Sequence, residues 1–275
     1  MHSRFRTHGA AALMAALVVF VLGARHLLAQ PFEGWQSAET ERFLTEAPIR
    51  LGKTLSGVTR SRQAILELNG VTRFAVWKTI DQKRSGVASL GRASEIGFQD
   101  SWKTEIPAYE LDKLIGLKMV PASVARTYRG TQGALTAWVE LGMPEAERLK
   151  KQLPPTDSED WSRKMANVRL FDNLIYNVDR HANNIYITTS WDIILIDHSR
   201  SFRPHNELLT ESQLHRFSRS LLSALEKLDQ ATLTQKMSKY LDRYQIEAVL
   251  ARRDQIVARA RRLVQQQGEA AVLFP

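Results

Sequence analysis

Asn69-Gly70 stands between two β-prone runs, Ile65-Leu66-Glu67-Leu68 before it and Val71-Thr72-Arg73-Phe74-Ala75-Val76-Trp77-Lys78 after it. An Asn-Gly link takes up the left-handed backbone of a tight turn at little cost, so this pair commits the front of the chain to an antiparallel hairpin. The back of the chain has another period. From Trp161 to Asn177, the residues Met165, Val168, Phe171, Leu174 and Ile175 form an apolar stripe at helical spacing. Beyond Phe202 the sequence reads as helices to about Gln267, with no repeats and no low-complexity tract. A chain of 275 residues accommodates one large domain or two lobes sharing a cleft, with ample apolar content for a core.

Between these landmarks the pattern is less uniform. Ala38 to Glu46 reads as a short helix, and Gly52 and Gly57 punctuate the residues after it. Residues 81–100 are polar and contain glycine, which suggests a loop. Thr104 to Gly116 is helical in period, with Ile106, Tyr109 and Ile115 near one face; Pro107 fits only in its first turn. A strand is expected around Leu135–Leu141, and Pro144 to Trp161, with Pro154-Pro155, reads as an inter-lobe connection and surface excursion. After the helix at Trp161–Asn177 come a polar loop, the strands Ile185–Thr188 and Ile193–Ile196, and a turn at Ser190-Trp191-Asp192 between them.

Composition excludes several chemistries. With no cysteine the chain has no disulfide framework, thiol nucleophile, thiolate-bound zinc or iron–sulfur cluster. The formal charge is +9, but without an aromatic-interleaved basic stripe nucleic-acid binding is not indicated. Arg4 and Arg6 precede an uncharged run of 14 residues, Ala10 to Gly23, too short to span a bilayer comfortably and suited to the apolar core of a secretory signal. Residues 1–29 are therefore expected to be removed on export to the periplasm or the extracellular space; an uncleaved membrane anchor is the alternative. Removal takes away Arg4, Arg6 and Arg25 and no acid, which lowers +9 to +6. That excess favours anionic partners, including weak association with a membrane surface.

Ala47-Pro48-Ile49-Arg50-Leu51-Gly52-Lys53-Thr54 satisfies a relaxed phosphate-loop pattern. Such a loop works only between a buried strand and a helix N-terminus. Here a helix-like stretch precedes it and a strand comes after it, so the match is accidental. Asp179, Asn184 and Asp197 differ, because their context matches their chemistry. A helix–loop–hairpin–loop unit brings two carboxylates and an amide to the same end of one hairpin. Phosphoryl transfer needs an acid beside the attacking hydroxyl and oxygen ligands for a divalent metal bridging nucleotide phosphates. Turn chemistry accounts for any one of these residues alone but has no reason to coordinate all three. His181 with His198 makes a poor metal site, since no third ligand has convincing spacing.

Asp179-Arg180-His181-Ala182-Asn183-Asn184-Ile185, with Ile196-Asp197 after it, resembles the catalytic and metal-binding loops of phosphatidylinositol 3- and 4-kinases. It is also similar to the secretory-pathway kinases typified by the Golgi casein kinase, and more loosely to HipA-type kinases. The stretch from Glu105 to Gly116, ending in Val120-Pro121, is like the glutamate-bearing helix of the Golgi kinases. The resemblance runs from about Gly57 to Phe202. It implies an α+β, two-lobed protein-kinase-like fold, with a small β-rich N-lobe carrying one helix at 30–140 and a mostly helical C-lobe at 141–275. It implies ATP and Mg²⁺ or Mn²⁺ as cofactors, and transfer of the γ-phosphate to a hydroxyl of a protein, glycan, lipid or small molecule. Asp179 would orient or deprotonate the acceptor, and Asn184 and Asp197 would hold the metal. Lys78 would reach the nucleotide phosphates, with Glu105 as its ion-pair partner or as a ligand of a second metal. Gly57-Val58-Thr59 stands where the nucleotide loop would be, Trp138-Val139-Glu140 stands at the hinge near 138–142 beside adenine, and Arg180 and His181 would brace the catalytic loop. A pseudokinase that binds nucleotide or a partner without catalysis, and a phosphoinositide-type lipid kinase, are the alternatives.

Overall fold

A computed structural model describes residues 29–32, 34–55, 60–84, 87–90, 93–96, 98–139 and 142–275. The expected signal segment therefore lies, but for Ala29, outside the described residues, as do Gly57 and Glu140. Among the described residues no helix is long and apolar enough to cross a membrane.

The first helix, α1 (Ala38–Glu46), is capped by the Ser37 hydroxyl, which accepts the Thr40 N–H. It leads into β1 (Ile49–Thr54) and then the hairpin β2 (Arg62–Leu68) and β3 (Val71–Lys78). Asn69 and Gly70 take φ 52° and 76° and close that hairpin with Leu68 opposite Val71, the link the dipeptide predicts. The segment 47–54 that mimics a phosphate loop is largely the edge strand β1, and the next element among the described residues is the strand β2 rather than a helix.

The polar stretch 81–100 is not a loop. It holds β4 (Asp81–Lys83), β5 (Val87–Leu90), β6 (Ala93–Ile96) and β7 (Gln99–Ser101), paired as β4 with β7 and β5 with β6. Each partner strand is supplied by a later part of the same stretch, so no local alternation marks it. The polar residues of β7 are buried, against the usual equation of polarity with surface.

A 3₁₀ turn at Trp102–Thr104 leads into α2 (Glu105–Ile115), which places Pro107 in the first turn and ends at Gly116 with φ 71°. The next hairpin pairs β8 (Ser123–Tyr128) with β9 (Thr131–Ala137) around Arg129-Gly130, a turn that no Asn-Gly or Asp-Gly announces. The strand expected at Leu135–Leu141 thus lies earlier, ending at Ala137. It completes an antiparallel sheet in the order β1-β2-β3-β9-β8.

The connection after the sheet contains β10 (Met143–Pro144) and a helix, α3 (Glu145–Lys150), which the prolines downstream obscured. Next comes α4 (Ser158–Ile175), which starts before Trp161 because the Asp157 carboxylate accepts the Glu159 and Asp160 N–H groups. The hairpin β11 (Ile185–Ile187) and β12 (Ile193–Leu195) turns through Trp191 at φ 64°. The remainder is β13 (Phe217–Ser218), α5 (Arg219–Lys227), α6 (Gln230–Met237), α7 (Arg243–Gln267), α8 (Glu269–Val272) and β14 (Leu273–Phe274). β14 pairs in parallel with β13. One apolar core runs from Leu66 and Trp77 of the sheet, through Tyr109 and Leu111 of α2, to Phe171, Leu174 and Val249 of the helical part. The sheet, α2 and the helical part are thereby fixed against one another, and the loop after β12 lies where they meet.

Candidate active site

Lys78 is the last residue of β3, paired with Ala134 of β9. The strands come close there: a Cβ on Gly133 would stand 2.5 Å from the Lys78 carbonyl oxygen, so only glycine admits this register. The Lys78 side chain crosses to two carboxylates, with Nζ 2.6 Å from Glu105 Oε1 and 2.6 Å from Asp197 Oδ1. Burial disfavours its charge, but the Glu105 and Asp197 carboxylates outweigh that and hold its pKa above the usual lysine range.

Glu105 opens α2. Both of its oxygens lie 3.2 Å from the His198 backbone N–H, and Oε2 lies 3.4 Å from His198 Nδ1. Burial works to raise the Glu105 pKa; Lys78 and His198 overcome it, and the pKa falls below the ordinary value. The oxygens seen here are engaged by protein donors, the arrangement of an ion-pair partner for Lys78.

Asp197 stands after β12 with φ 57°, a left-handed conformation that aspartate tolerates better than most residues and that concentrates at functional sites. Its Oδ1 also accepts the Ser199 hydroxyl at 2.9 Å. Burial again opposes ionisation, and Lys78 and the Ser199 hydroxyl outweigh it, holding the carboxyl well below the usual carboxylate range.

The loop after α4 is fastened by Arg180, whose role the sequence anticipates. Its Nε lies 3.1 Å from both oxygens of Asp172, and its Nη1 donates to the carbonyls of Asn184 at 3.0 Å and Ile196 at 2.7 Å. One guanidinium thus joins α4, the loop and the residue preceding Asp197. His181 also braces the loop: its Nδ1 accepts the Asn183 N–H at 3.3 Å, and its Nε2 lies 3.2 Å from the Asn184 amide. Asn184 Nδ2 donates to the Asp179 carbonyl at 3.2 Å, and the Ile196 N–H donates to the Asn184 carbonyl at 3.1 Å. The half-buried Asp179 carboxylate lies 3.2 Å from Arg200 Nη1.

The structure therefore joins Lys78, Glu105 and Asp197 directly and ties Asp179 to Asn184 through the loop. Trp138, partly buried, packs edge-on to Phe74, with centroids 6.4 Å apart. Sequence reasoning missed Asp172, Arg200, Ser199 and Asp100. Their contacts are made across the fold or within the polar stretch 81–100, so neither period nor spacing flags them.

The donor set suits a hard divalent cation, because Asp197 and Asn184 supply oxygens from segments tied through Ile196. No group of three His, Cys, Asp or Glu residues able to hold a metal occurs among the described residues. A cation held by one or two carboxylates and otherwise by phosphate and water needs no such cage.

Residues 127–265, half of the chain, match the sequence model of a family described as Golgi casein kinase, C-terminal, Fam20. A solved structure of a hydra Fam20 with sugar superposes at a TM-score of 0.65 and 15% identity, covering 86% of this chain and 91% of that one. The crystal structure of the Golgi casein kinase superposes at 0.60 and 14% identity, covering 86% and 78%. At such identities the likeness shows the fold, an α+β, two-lobed kinase-like architecture. No curated protein matches the chain.

Proposed function

Since this chain belongs to the Golgi casein kinase, C-terminal, Fam20 family, we propose that it is an exported phosphotransferase that moves the γ-phosphate of ATP to a hydroxyl of a protein or sugar. The observation that carries this reading is the bridge from Lys78 to both Glu105 and Asp197 at 2.6 Å. It holds a permanent cation, a buried carboxylate and a cleft carboxylate in one cluster joining the sheet, α2 and the loop after β12. A structural ion pair needs two members, and a third that reaches the cleft suits a site that receives polyphosphate.

In the reaction, the acceptor oxygen bonds to Pγ as the bond from Pγ to the β,γ-bridging oxygen breaks, which releases ADP. Asp179 orients the hydroxyl and takes its proton. Lys78, aimed by Glu105, places its ammonium against the phosphates. Asp197 and Asn184 would hold Mg²⁺ or Mn²⁺, which would supply positive charge against the polyphosphate. Arg180 keeps Asp179 and Asn184 in register with Asp197. Export is supported by the basic start and the apolar run Ala10 to Gly23, with cleavage after Ala29. Gln30 already belongs to the fold, its N–H donating to the Thr72 carbonyl at 2.7 Å.

The test uses γ-labelled ATP with Mn²⁺ or Mg²⁺ and separate pools of protein, glycan and lipid acceptors. Asp179→Asn keeps shape and removes basicity, so turnover should fall by about 10²–10⁴ while nucleotide affinity stays within a few-fold. Equal transfer by wild type and Asp179→Asn would remove Asp179 from the mechanism. ATP binding with no transfer to any pool would make the protein a pseudokinase.

A further inference from the structure

Arg252 of α7 has no exposed surface, and among the described residues no carboxylate pairs with it. Burial pushes its pKa down to about 10, with Tyr176 alone acting the other way. Its Nη2 has no hydrogen-bond partner among the described residues. A buried cation without a carboxylate is costly, and an apolar side chain of similar volume fills a core as well or better. The guanidinium therefore calls for a reason beyond packing.

That reason lies in what it holds. Nε donates to the Leu174 carbonyl at 2.9 Å, and Nη1 donates to the Arg203 carbonyl at 3.1 Å and to the His205 carbonyl. Leu174 is in the last turn of α4. Carbonyls there lack helical partners and carry the negative end of the helix dipole, so α4 itself supplies the counter-charge. Leu174 leads into the loop of Asp179 and Asn184, and Arg203 leads out of the loop of Asp197. The two segments also meet directly, the Phe202 N–H donating to the Ile175 carbonyl at 2.6 Å. Gln245, about two turns before Arg252 on the same face of α7, donates to the Phe202 carbonyl at 2.6 Å. Phe202 is fully buried with φ 59°, a left-handed conformation that an aromatic residue keeps only where its surroundings over-determine it. Arg180 joins the same two loops at their opposite ends, through the carbonyls of Asn184 and Ile196.

We propose that Arg252 is a positioning residue of the phosphotransfer site, setting the loop of Asp179 and Asn184 against the loop of Asp197 from the side of α7. The proposal rests on the phosphotransferase reading of this site. Arg180 fixes the exit of the first loop to the entrance of the second, and Arg252 fixes the entrance of the first to the exit of the second. With both guanidiniums in place neither loop can pivot. Without Arg252 the guanidinium tie survives at one end only, and a displacement of about 1 Å at a reacting group is enough to cost about 10²-fold in rate. Arg126 supplies the comparison. It donates to the carbonyls of Leu44 and Ala47 at the end of α1, and its hydrogen bonds go to neither loop.

The experiment compares Arg252→Met, Arg252→Lys and Arg126→Met with wild type as full chains. It follows the melting temperature, Mn²⁺ affinity with and without ADP by the free-ion electron paramagnetic resonance signal, and turnover with its KM for MnATP. Arg252→Met should weaken Mn²⁺ binding about tenfold, because Asn184 and Asp197 lose their register, and should lower turnover by about 10² well below its melting temperature. Arg252→Lys keeps the charge and loses the fork, so its melting temperature should stay nearer wild type while turnover remains about tenfold down. Arg126→Met should lose melting temperature and keep wild-type Mn²⁺ affinity and turnover. A merely structural Arg252 behaves as Arg126 does; wild-type Mn²⁺ affinity and turnover in its variants overturn the proposal and leave the phosphotransferase reading standing. If Arg252→Met does not fold, Arg252→Lys decides on the same readouts. If wild type binds MnADP and transfers no phosphate, Mn²⁺ affinity decides alone, a loss in the Arg252 variants supporting the role and an unchanged value overturning it. Absence of Mn²⁺ binding by wild type, with and without ADP, overturns both readings.

Discussion

Lys78→Met deletes the ammonium at the centre of the cluster while keeping most of the aliphatic bulk. The side chain of Glu105 is 5% exposed and that of Asp197 is 30% exposed, so Asp197 can turn to water and Glu105 cannot. Removing one member of a buried pair costs about 3–5 kcal/mol. The His198 N–H still serves Glu105, which places the expected loss near the lower bound, about 3 kcal/mol. For a chain of this size that corresponds to a fall in Tm of about 6–12 °C.

The pH dependence gives the sharper test. In the wild type the Glu105 pKa lies below its ordinary value. Its contribution is therefore complete above the unfolded carboxylate pKa of about 4.3 and is lost only as pH falls through the lower folded value. Without Lys78 the burial effect dominates and the folded pKa moves above the unfolded one. The folded variant then binds a proton that the unfolded chain does not, so its stability rises as pH falls. Urea unfolding at pH 7 and pH 5 should show the gap between wild type and Lys78→Met narrowing at the lower pH. Adding Glu105→Gln to the variant should recover stability at pH 7. Parallel pH dependences, or a loss under about 1 kcal/mol, would refute the assignment of Lys78 as the counter-charge that keeps Glu105 ionised.

Two further outcomes are expected. Gly133→Ala puts a methyl 2.5 Å from the Lys78 carbonyl oxygen and 2.8 Å from the Trp77 ring; parting β3 from β9 should cost about 1–3 kcal/mol and shrink the MnATP-induced rise in melting temperature, both read from thermal unfolding. Terminal sequencing of exported protein should begin near Gln30, whereas an intact Met1 in a membrane fraction would establish an anchor.

The parts of the fold legible in the sequence are those whose cause is local. Asn69-Gly70 fixes its hairpin through two left-handed residues, and α2 declares itself by period, by Pro107 in its first turn and by Gly116 at its end. Asp179, Asn184 and Asp197 could be grouped because one short hairpin, β11 and β12, separates them. Lys78 and Asp197 lie 119 positions apart and meet through the packing of the whole chain, so only the resemblance to kinases placed them together beforehand. The strand β8, the polar pairings within 81–100 and the burial of Asp100 gave no such handle. Each depends on a partner that supplies hydrogen bonds rather than on the hydrophobic pattern of its own segment.

The same non-local contacts hold α2 and the loop after β12 together. Swinging α2 away from the loop after β12 would break the Lys78–Glu105 pair, the Glu105 bond to the His198 N–H and the Thr104 bond to the His198 carbonyl together. The pull of β7 on Ser199 and Ser201 resists the same motion. Each buried polar group left unpaired costs about 1–3 kcal/mol, so such an open state lies several kcal/mol above the closed one and is scarcely populated. Helix α2 and the loop therefore move as one body. On the proposed phosphotransferase reading, nucleotide affinity would be set by the charges presented to the cleft, with little of the binding free energy diverted into closing α2 onto its lysine.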